Sequence, residues 1–424
     1  MMKNTLPWSR VRGKEILSLL LFFLMASAIA VEARDCGGST ACGCGDKVVR
    51  DHILTRSLGP CPGAGLRIVA GVTLDGNGQS IRGTGNKAGI LFEETATGAV
   101  VRNLEVSGFK RGIRFSGVHG ARLENVQSHH NGDRAAAVGY GVDLAHGASA
   151  NVLVGLRVYE NADEGIHFGT NANRNRLEDS EIFDNYRENV YFLQNRGNEV
   201  HRSRLRGGGA AAFYVKHAPE TLLQDNEISD RPIQIRGRSD DVRLVENRLS
   251  NSSVHVEPFK GEGSRGLRMS GGSIASPRLP CIRLRGARDA RVEGVGFSCR
   301  DRVSVQDGAE IQVAIDSLTG VLCRGTGRVT RLRRLDSRFV DPQGRAVEGI
   351  EILDSSGGVL GRSDSEGKVE RLVPQATMQC PERRVLDSRL RATRGEWSAP
   401  LLLDLAEDVV VPDATAGSAL PNQG

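Results

Sequence analysis

Gly141-Val142-Asp143-Leu144, Gly165-Ile166-His167-Phe168 and Asn189-Val190-Tyr191-Phe192 are three copies of one phrase: a small residue or asparagine, an apolar residue, any residue, an apolar residue. The phrase also occurs upstream as Gly112-Ile113-Arg114-Phe115. Downstream it returns as Ala212-Phe213-Tyr214-Val215, Pro232-Ile233-Gln234-Ile235 and Ser253-Val254-His255-Val256. Its period of about 20 to 30 residues is that of a solenoid, in which each coil buries its apolar face against the next. A second phrase follows at a nearly fixed offset, as in Asn151-Val152-Leu153-Val154-Gly155-Leu156 and Asn175-Arg176-Leu177-Glu178-Asp179-Ser180. Each period therefore holds at least two short strands and no helix, which predicts an all-β chain.

Side chains alternate faces along a strand, so the two apolar residues of the first phrase point inward and the residue between them outward. With coils in register, the outward residues form a column of Arg114, Asp143, His167, Tyr191, Tyr214, Gln234 and His255. This ladder of ionisable and aromatic groups on an aliphatic motif is where function is expected. Two coils carry extra residues, 132–139 ahead of Asp143 and 257–266 after His255, and such insertions become loops that flank the ladder. Asn131, Asn161 and Asn185 fall at one place in successive coils and are read as structural, bonding turn backbone from coil to coil.

The N-terminus reads as a signal peptide over 1–33. Lys3, Arg10, Arg12 and Lys14 precede an apolar run that is too short for an anchor, and small residues follow it. The expected product is secreted, periplasmic or cell-surface, without membrane insertion. The net charge of the full chain is only +5, which gives no support to nucleic acid as a partner. A local basic stretch (Arg202, Arg204, Arg206, Lys216, Arg231, Arg236, Arg238) reads either as a solvated face or as a polyanion track. Eight cysteines in an exported chain imply disulfides. Clustering predicts pairs within Cys36, Cys42, Cys44 and Cys61 and within Cys281, Cys299, Cys323 and Cys380, with the pairing in each group open.

The expected organisation is a Cys-rich cap at 34–70, a β-helix at 71–331, a small β-sandwich at 332–412 and a disordered tail at 413–424. The sandwich is read from short strands and tight turns that lose the earlier period, such as Ser363-Asp364-Ser365-Glu366-Gly367-Lys368-Val369.

Leu74-Asp75-Gly76-Asn77-Gly78 after the cysteines, with the Gly-Ile-x-Phe and Asn-x-Leu-x-Asp-Asn phrases, resembles exported right-handed parallel β-helix repeat proteins of the pectin-lyase-like superfamily. The last domain is similar to the carboxypeptidase regulatory-like sandwich. The resemblance implies the fold, and an activity drawn from polysaccharide lyases, hydrolases and epimerases; the signatures of polygalacturonases are absent. Tyr140-Gly141-Val142-Asp143-Leu144-Ala145-His146 is similar to the Tyr-Gly-x-Asp-Pro-His segment of mannuronan epimerases, with Leu-Ala in place of Pro shifting His146 by one position.

Lyases and epimerases of uronates need a group to neutralise the carboxylate, a base for the C5 proton and an acid. Asp143, His167, Tyr191 and Tyr214 are the catalytic candidates. Arg114, Lys216, His217, Gln234, Arg236 and His255 are the substrate-binding candidates, with Lys216 or Arg236 as the neutraliser. The expected partner is an acidic polysaccharide and the expected state a monomer. The alternative is a non-catalytic surface or adhesion protein. No metal site is assigned; Asp163-Glu164 and Asp240-Asp241 are the places calcium could bind, with solvated turn caps as the simpler reading.

Overall fold

The computed structural model describes residues 33–136, 138–380, 382, 384–387, 389–401 and 408–411. The expected signal peptide, apart from Ala33, and the expected tail lie outside them. Every regular element among the described residues is a strand. Fourteen parallel strands make the first face, from Asp35–Cys36 through Val142–Ala145, Ile166–Phe168 and Val190–Leu193 to Val321–Arg324. The chain is thus a β-solenoid, and its first coils already run through the stretch expected to be a separate cap. A second face stacks Val152–Val154, Arg176–Glu178, Glu199–His201 and Leu222–Gln224, and a third stacks Arg157–Tyr159, Glu181–Phe183, Arg204–Arg206 and Glu227–Ser229.

One residue per coil makes the bend between the second and third faces. Asn125, Gly155, Asp179, Arg202, Asp225, Glu246 and Gly271 all sit there at positive φ. That region is open to glycine and tolerated by Asn and Asp. Arg202 and Glu246 fit neither case; Arg202 is held by hydrogen bonds to Asp179 and Glu178 of the previous coil.

Ile113, Val142, Ile166, Val190, Phe213, Ile233 and Val254 are fully buried, as alternation requires. Each such side chain stabilises the core by about 1.5 to 3 kcal/mol. The small residue that opens the phrase has a packing reason. A Cβ on Gly165 would lie 2.5 Å from Asn185 Nδ2 and 2.6 Å from Asn189 O, and one on Gly141 would lie 2.6 Å from Asn161 Nδ2. The asparagines occupy that space because they tie coils together: Asn131 Nδ2 donates to Asn161 Oδ1 at 2.9 Å, and Asn161 Nδ2 to Asn185 Oδ1 at 3.0 Å. A parallel ladder runs through Asn151, Asn175 and Asn198.

The disulfides are Cys36–Cys42, Cys44–Cys61, Cys281–Cys299 and Cys323–Cys380, so each cluster pairs within itself. Four disulfides fit an oxidising compartment. The last of them joins the solenoid to the strand Lys368–Cys380. Gly327–Val340 pairs parallel with Ala309–Ala314 of the solenoid and antiparallel with Lys368–Cys380. The boundary expected at 331/332 falls inside this strand. Val329 and Met378 belong to the solenoid core. Leu335, Phe339, Val369 and Val373, further along the same two strands, share a second small core with Ile352, Leu390 and Ala392 of a four-stranded antiparallel sheet.

Candidate functional site

The register is the one that alternation predicts. Arg114, Asp143, His167, Tyr191, Tyr214, Gln234 and His255 are successive partners on the first face, and Arg283 continues the column. Asp143 departs from expectation in one respect: it points outward yet is only 2% exposed. Arg111 covers it with Nε 3.0 Å from Oδ2, Arg114 lies at 3.8 Å, and His167 Nδ1 is 3.1 Å from Oδ1. Burial of a carboxylate is tolerable because these partners surround it. The contact also fixes the imidazole: Nδ1–H donates to the carboxylate and Nε2 keeps its lone pair.

His167 sits in an aromatic run. Tyr140 of the preceding coil stacks on it with centroids 4.8 Å apart, Tyr191 lies 5.6 Å away on the other side, and Tyr214 meets Tyr191 edge-on at 5.1 Å. Burial, reinforced by Glu164, Asp163 and Asp143, pushes the Tyr140 phenol up to about 12. Burial raises Tyr191 as well, with Tyr214, Glu164 and Glu188 adding to it. Both phenols therefore stay protonated at neutral pH and have a proton to give.

The sequence reading missed a second column, three residues before the ladder. Arg111, Tyr140, Glu164 and Glu188 precede Arg114, Asp143, His167 and Tyr191 by the same offset, and stacked coils bring them together. Asp163 and Glu164, whose simpler reading was a solvated cap, are instead buried at 3% and 2% exposure, and Glu188 at 6%. A single guanidinium, Arg187, faces all three at 3.4, 3.7 and 3.8 Å. Burial, with Asp163 and Glu188 adding, drives the Glu164 carboxyl up to about 8. Burial likewise raises Asp163 and Glu188. The Oε2 atoms of Glu164 and Glu188 are buried without a hydrogen-bond partner. The signal was available, because each residue just before the small one repeats with the coil.

The binding candidates divide. Lys216 Nζ lies 3.9 Å over the Phe259 ring, and Arg236 donates to Glu257 at 2.7 Å and to the Tyr214 hydroxyl at 3.3 Å. These two are two and three strands from His167, so the cations at the His167 end are Arg111 and Arg114 instead. Gln234 donates to Ala210 O at 3.3 Å. His255 Nε2 meets Ser253 Oγ at 2.9 Å, and its pKa is lowered by burial and by Arg283. His217 stands off the column against Phe259 and Glu262. His146 Nε2 is 2.7 Å from Arg114 Nη2.

The insertions lie at opposite edges of the face, since one precedes and the other follows parallel strands. In the first, Asp133 and Val138 bridge and Arg134 covers Tyr186 at 5.6 Å; in the second, Phe259 and Glu262 bridge. No group of three or more His, Cys, Asp or Glu among the described residues is arranged to hold a metal ion. At the other proposed calcium position, Asp240 accepts from Arg265 N–H at 2.8 Å, a turn cap. The basic stretch is no continuous track: Arg204 and Arg206 lie on the third face, Lys216 and Arg236 on the first, and Arg202 at a corner.

Residues 88–253 match the family model for the right-handed beta helix region. No curated protein matches the sequence. Among solved structures, the catalytic domain of a GH87 α-1,3-glucanase in complex with tetrasaccharides is similar at 13% identity and TM-score 0.44, over 62% of this chain and 60% of that one. The alginate lyase of Paenibacillus sp. str. FPU-7 is similar at 13% identity and TM-score 0.35, over 65% of this chain and 100% of that one. The A-module of the Azotobacter vinelandii mannuronan C-5 epimerase is similar at 14% identity and TM-score 0.34, over 62% of this chain and 85% of that one. This chain spans only 60% of the glucanase domain. At these identities the chemistry is left to the site's own geometry.

Proposed function

We propose that this protein is exported, lays an acidic polysaccharide along the ladder, and abstracts the C5 proton of a uronate to cleave or epimerise the chain. The observation that supports this reading is His167, held by buried Asp143 at 3.1 Å and flanked by Tyr140 and Tyr191. His167 Nε2 takes the proton, and Asp143 stabilises the imidazolium that forms. Arg111 and Arg114 offset the charge that builds on the uronate carboxylate. Tyr191, its phenol raised by burial, gives a proton to the leaving oxygen in elimination or to the opposite face of C5 in epimerisation.

The test is a screen of the purified protein on polyuronates and glycosaminoglycans for two products: the ultraviolet-absorbing unsaturated end of elimination, and solvent deuterium at C5. Tyr191→Phe then separates turnover from binding. An enzyme loses about 10²-fold in rate, because the hydroxyl is gone. A mere binding surface is indifferent to that change and weakens only in Tyr191→Ala, because the ring is what a sugar stacks on. Failure to form either product from any anionic polysaccharide would rule out the enzymatic reading.

A further inference from the structure

Away from the ladder, four titratable side chains converge where the third face turns its corner. His129 ends the strand Arg122–His129, and His130 follows it at positive φ. Their Nδ1 atoms are 2.8 Å apart. Each outer nitrogen meets a carboxylate of a neighbouring coil: His129 Nε2 lies 3.4 Å from Glu105 of the coil before, and His130 Nε2 lies 3.0 Å from Glu160 of the coil after. Tyr159 stacks on His129 with centroids 4.7 Å apart, which holds that ring, while the His130 side chain stays 62% exposed.

A neutral imidazole has one N–H and one lone pair. If both rings carry the hydrogen on Nε2, toward the carboxylates, two lone pairs face each other between the rings. If either ring carries it on Nδ1, its Nε2 lone pair is turned on a carboxylate instead. Every neutral assignment therefore sets acceptor against acceptor, and one positive charge between the Nδ1 atoms removes the conflict. A shared proton is one such charge. A metal ion is the other: it takes both lone pairs, releases that proton to solvent and leaves each Nε2–H on a carboxylate, the partner that orients metal-bound histidines. We infer that His129 and His130 bind a divalent transition-metal ion through their Nδ1 atoms, with Glu105 and Glu160 as the carboxylates behind them. The spacing also selects the ion. With metal–nitrogen bonds of about 2.0 to 2.1 Å, nitrogens 2.8 Å apart subtend roughly 90° at the metal. That is the angle between adjacent ligands of a square-planar or tetragonal ion and falls short of the tetrahedral one, so Cu2+ or Ni2+ fits better than Zn2+. Water completes the coordination on the exposed side of His130. The inference stands apart from the polysaccharide reading, because these residues belong to another face.

The experiment titrates the full chain, prepared without a polyhistidine tag, with Cu2+ by calorimetry and by electron paramagnetic resonance. The tightest equivalent is expected to give a tetragonal spectrum split by two imidazole nitrogens. Glu105→Gln with Glu160→Gln should weaken this equivalent about tenfold while the two-nitrogen spectrum survives. His130→Asn should weaken it by at least as much and remove one nitrogen from the spectrum; asparagine tolerates the positive φ there, and the exposed position spares the core. Among the other ions, Ni2+ should bind tighter than Zn2+. A parent spectrum without two imidazole nitrogens overturns the inference, and that measurement needs no substitution to fold. Affinity unchanged in both His129→Ala and His130→Asn also overturns it, since the copper then sits on histidines elsewhere in the chain. Zinc bound more tightly than nickel overturns the choice of ion.

Discussion

The first and third faces of the solenoid are built by the same stacking, yet their outward side chains have opposite fates. On the third face Arg157 pairs with Glu181 at 3.4 Å and Arg204 with Glu227 at 2.8 Å, each in the adjacent coil. Its aromatic column, His129 on Tyr159 on Phe183, is capped by Arg206, 4.1 Å from the Phe183 ring. A groove runs there too, between Phe183, Arg206, Ser229 and Ser250. Its charges alternate in sign and neutralise one another. On the first face like charges are neighbours, and donors and acceptors are left unused. Stacking alone satisfies an alternating column; one that repeats a sign, as Glu164 over Glu188 does, leans on a group beside it, here Arg187.

The largest effect that could break this contrast is on turnover. Asp143→Ala should lower it by about 10²-fold or more, because His167 loses its orienting carboxylate, while Arg204→Ala on the third face should leave it unchanged. Steady-state rates on a substrate established in the screen decide this, and equal losses in both variants would erase the distinction between the faces.

A smaller effect, of a few kcal/mol, concerns pH and stability. The Glu164 carboxyl is raised from 4.5 to about 8 in the folded state. Between those values the folded protein holds a proton that the unfolded chain has released. This contribution to stability is present in full below pH 4.5 and is lost as pH rises through about 8. Denaturant titrations should show Glu164→Gln more stable than the parent at pH 8 by about 2 kcal/mol, with the advantage shrinking toward pH 5.

Next comes packing that both faces share. Gly165→Ala forces a methyl to within 2.5 Å of Asn185 Nδ2 and should cost about 1 to 3 kcal/mol. A melting temperature equal to the parent's would mean that the asparagine ladder yields easily. The smallest expected effect is the third-face pair itself. A double-mutant cycle on Arg204 and Glu227, both largely exposed, should give a coupling of about 0.2 to 1 kcal/mol that fades with salt.

The inward set, Ile113 to Val254, was legible because a period of two within each phrase and a fixed coil period leave one way to bury the apolar residues. The disulfide groups were legible because clusters at opposite ends of a stack cannot meet. The outward ladder came from the same alternation. Less legible was anything that depends on how an outward side chain leans. Asp143 is covered by arginines of one neighbouring coil and a histidine of the other, none of them near it in the sequence. The Asp163-Glu164 pair looks like any acidic turn until the Tyr140 and Tyr191 coils close around it.

The sequence by itself therefore determined the solenoid, its interior and the column on which chemistry could stand, because repeat period and alternation are properties of the chain read in order. Only the tertiary structure decided which members of that column are buried, charged or unsatisfied. It also decided that Gly327–Val340 carries the solenoid's sheet on into the second small core. The physical reason is that solvation and Coulomb energies depend on neighbours a full coil away, and those neighbours become adjacent only once the coils have stacked.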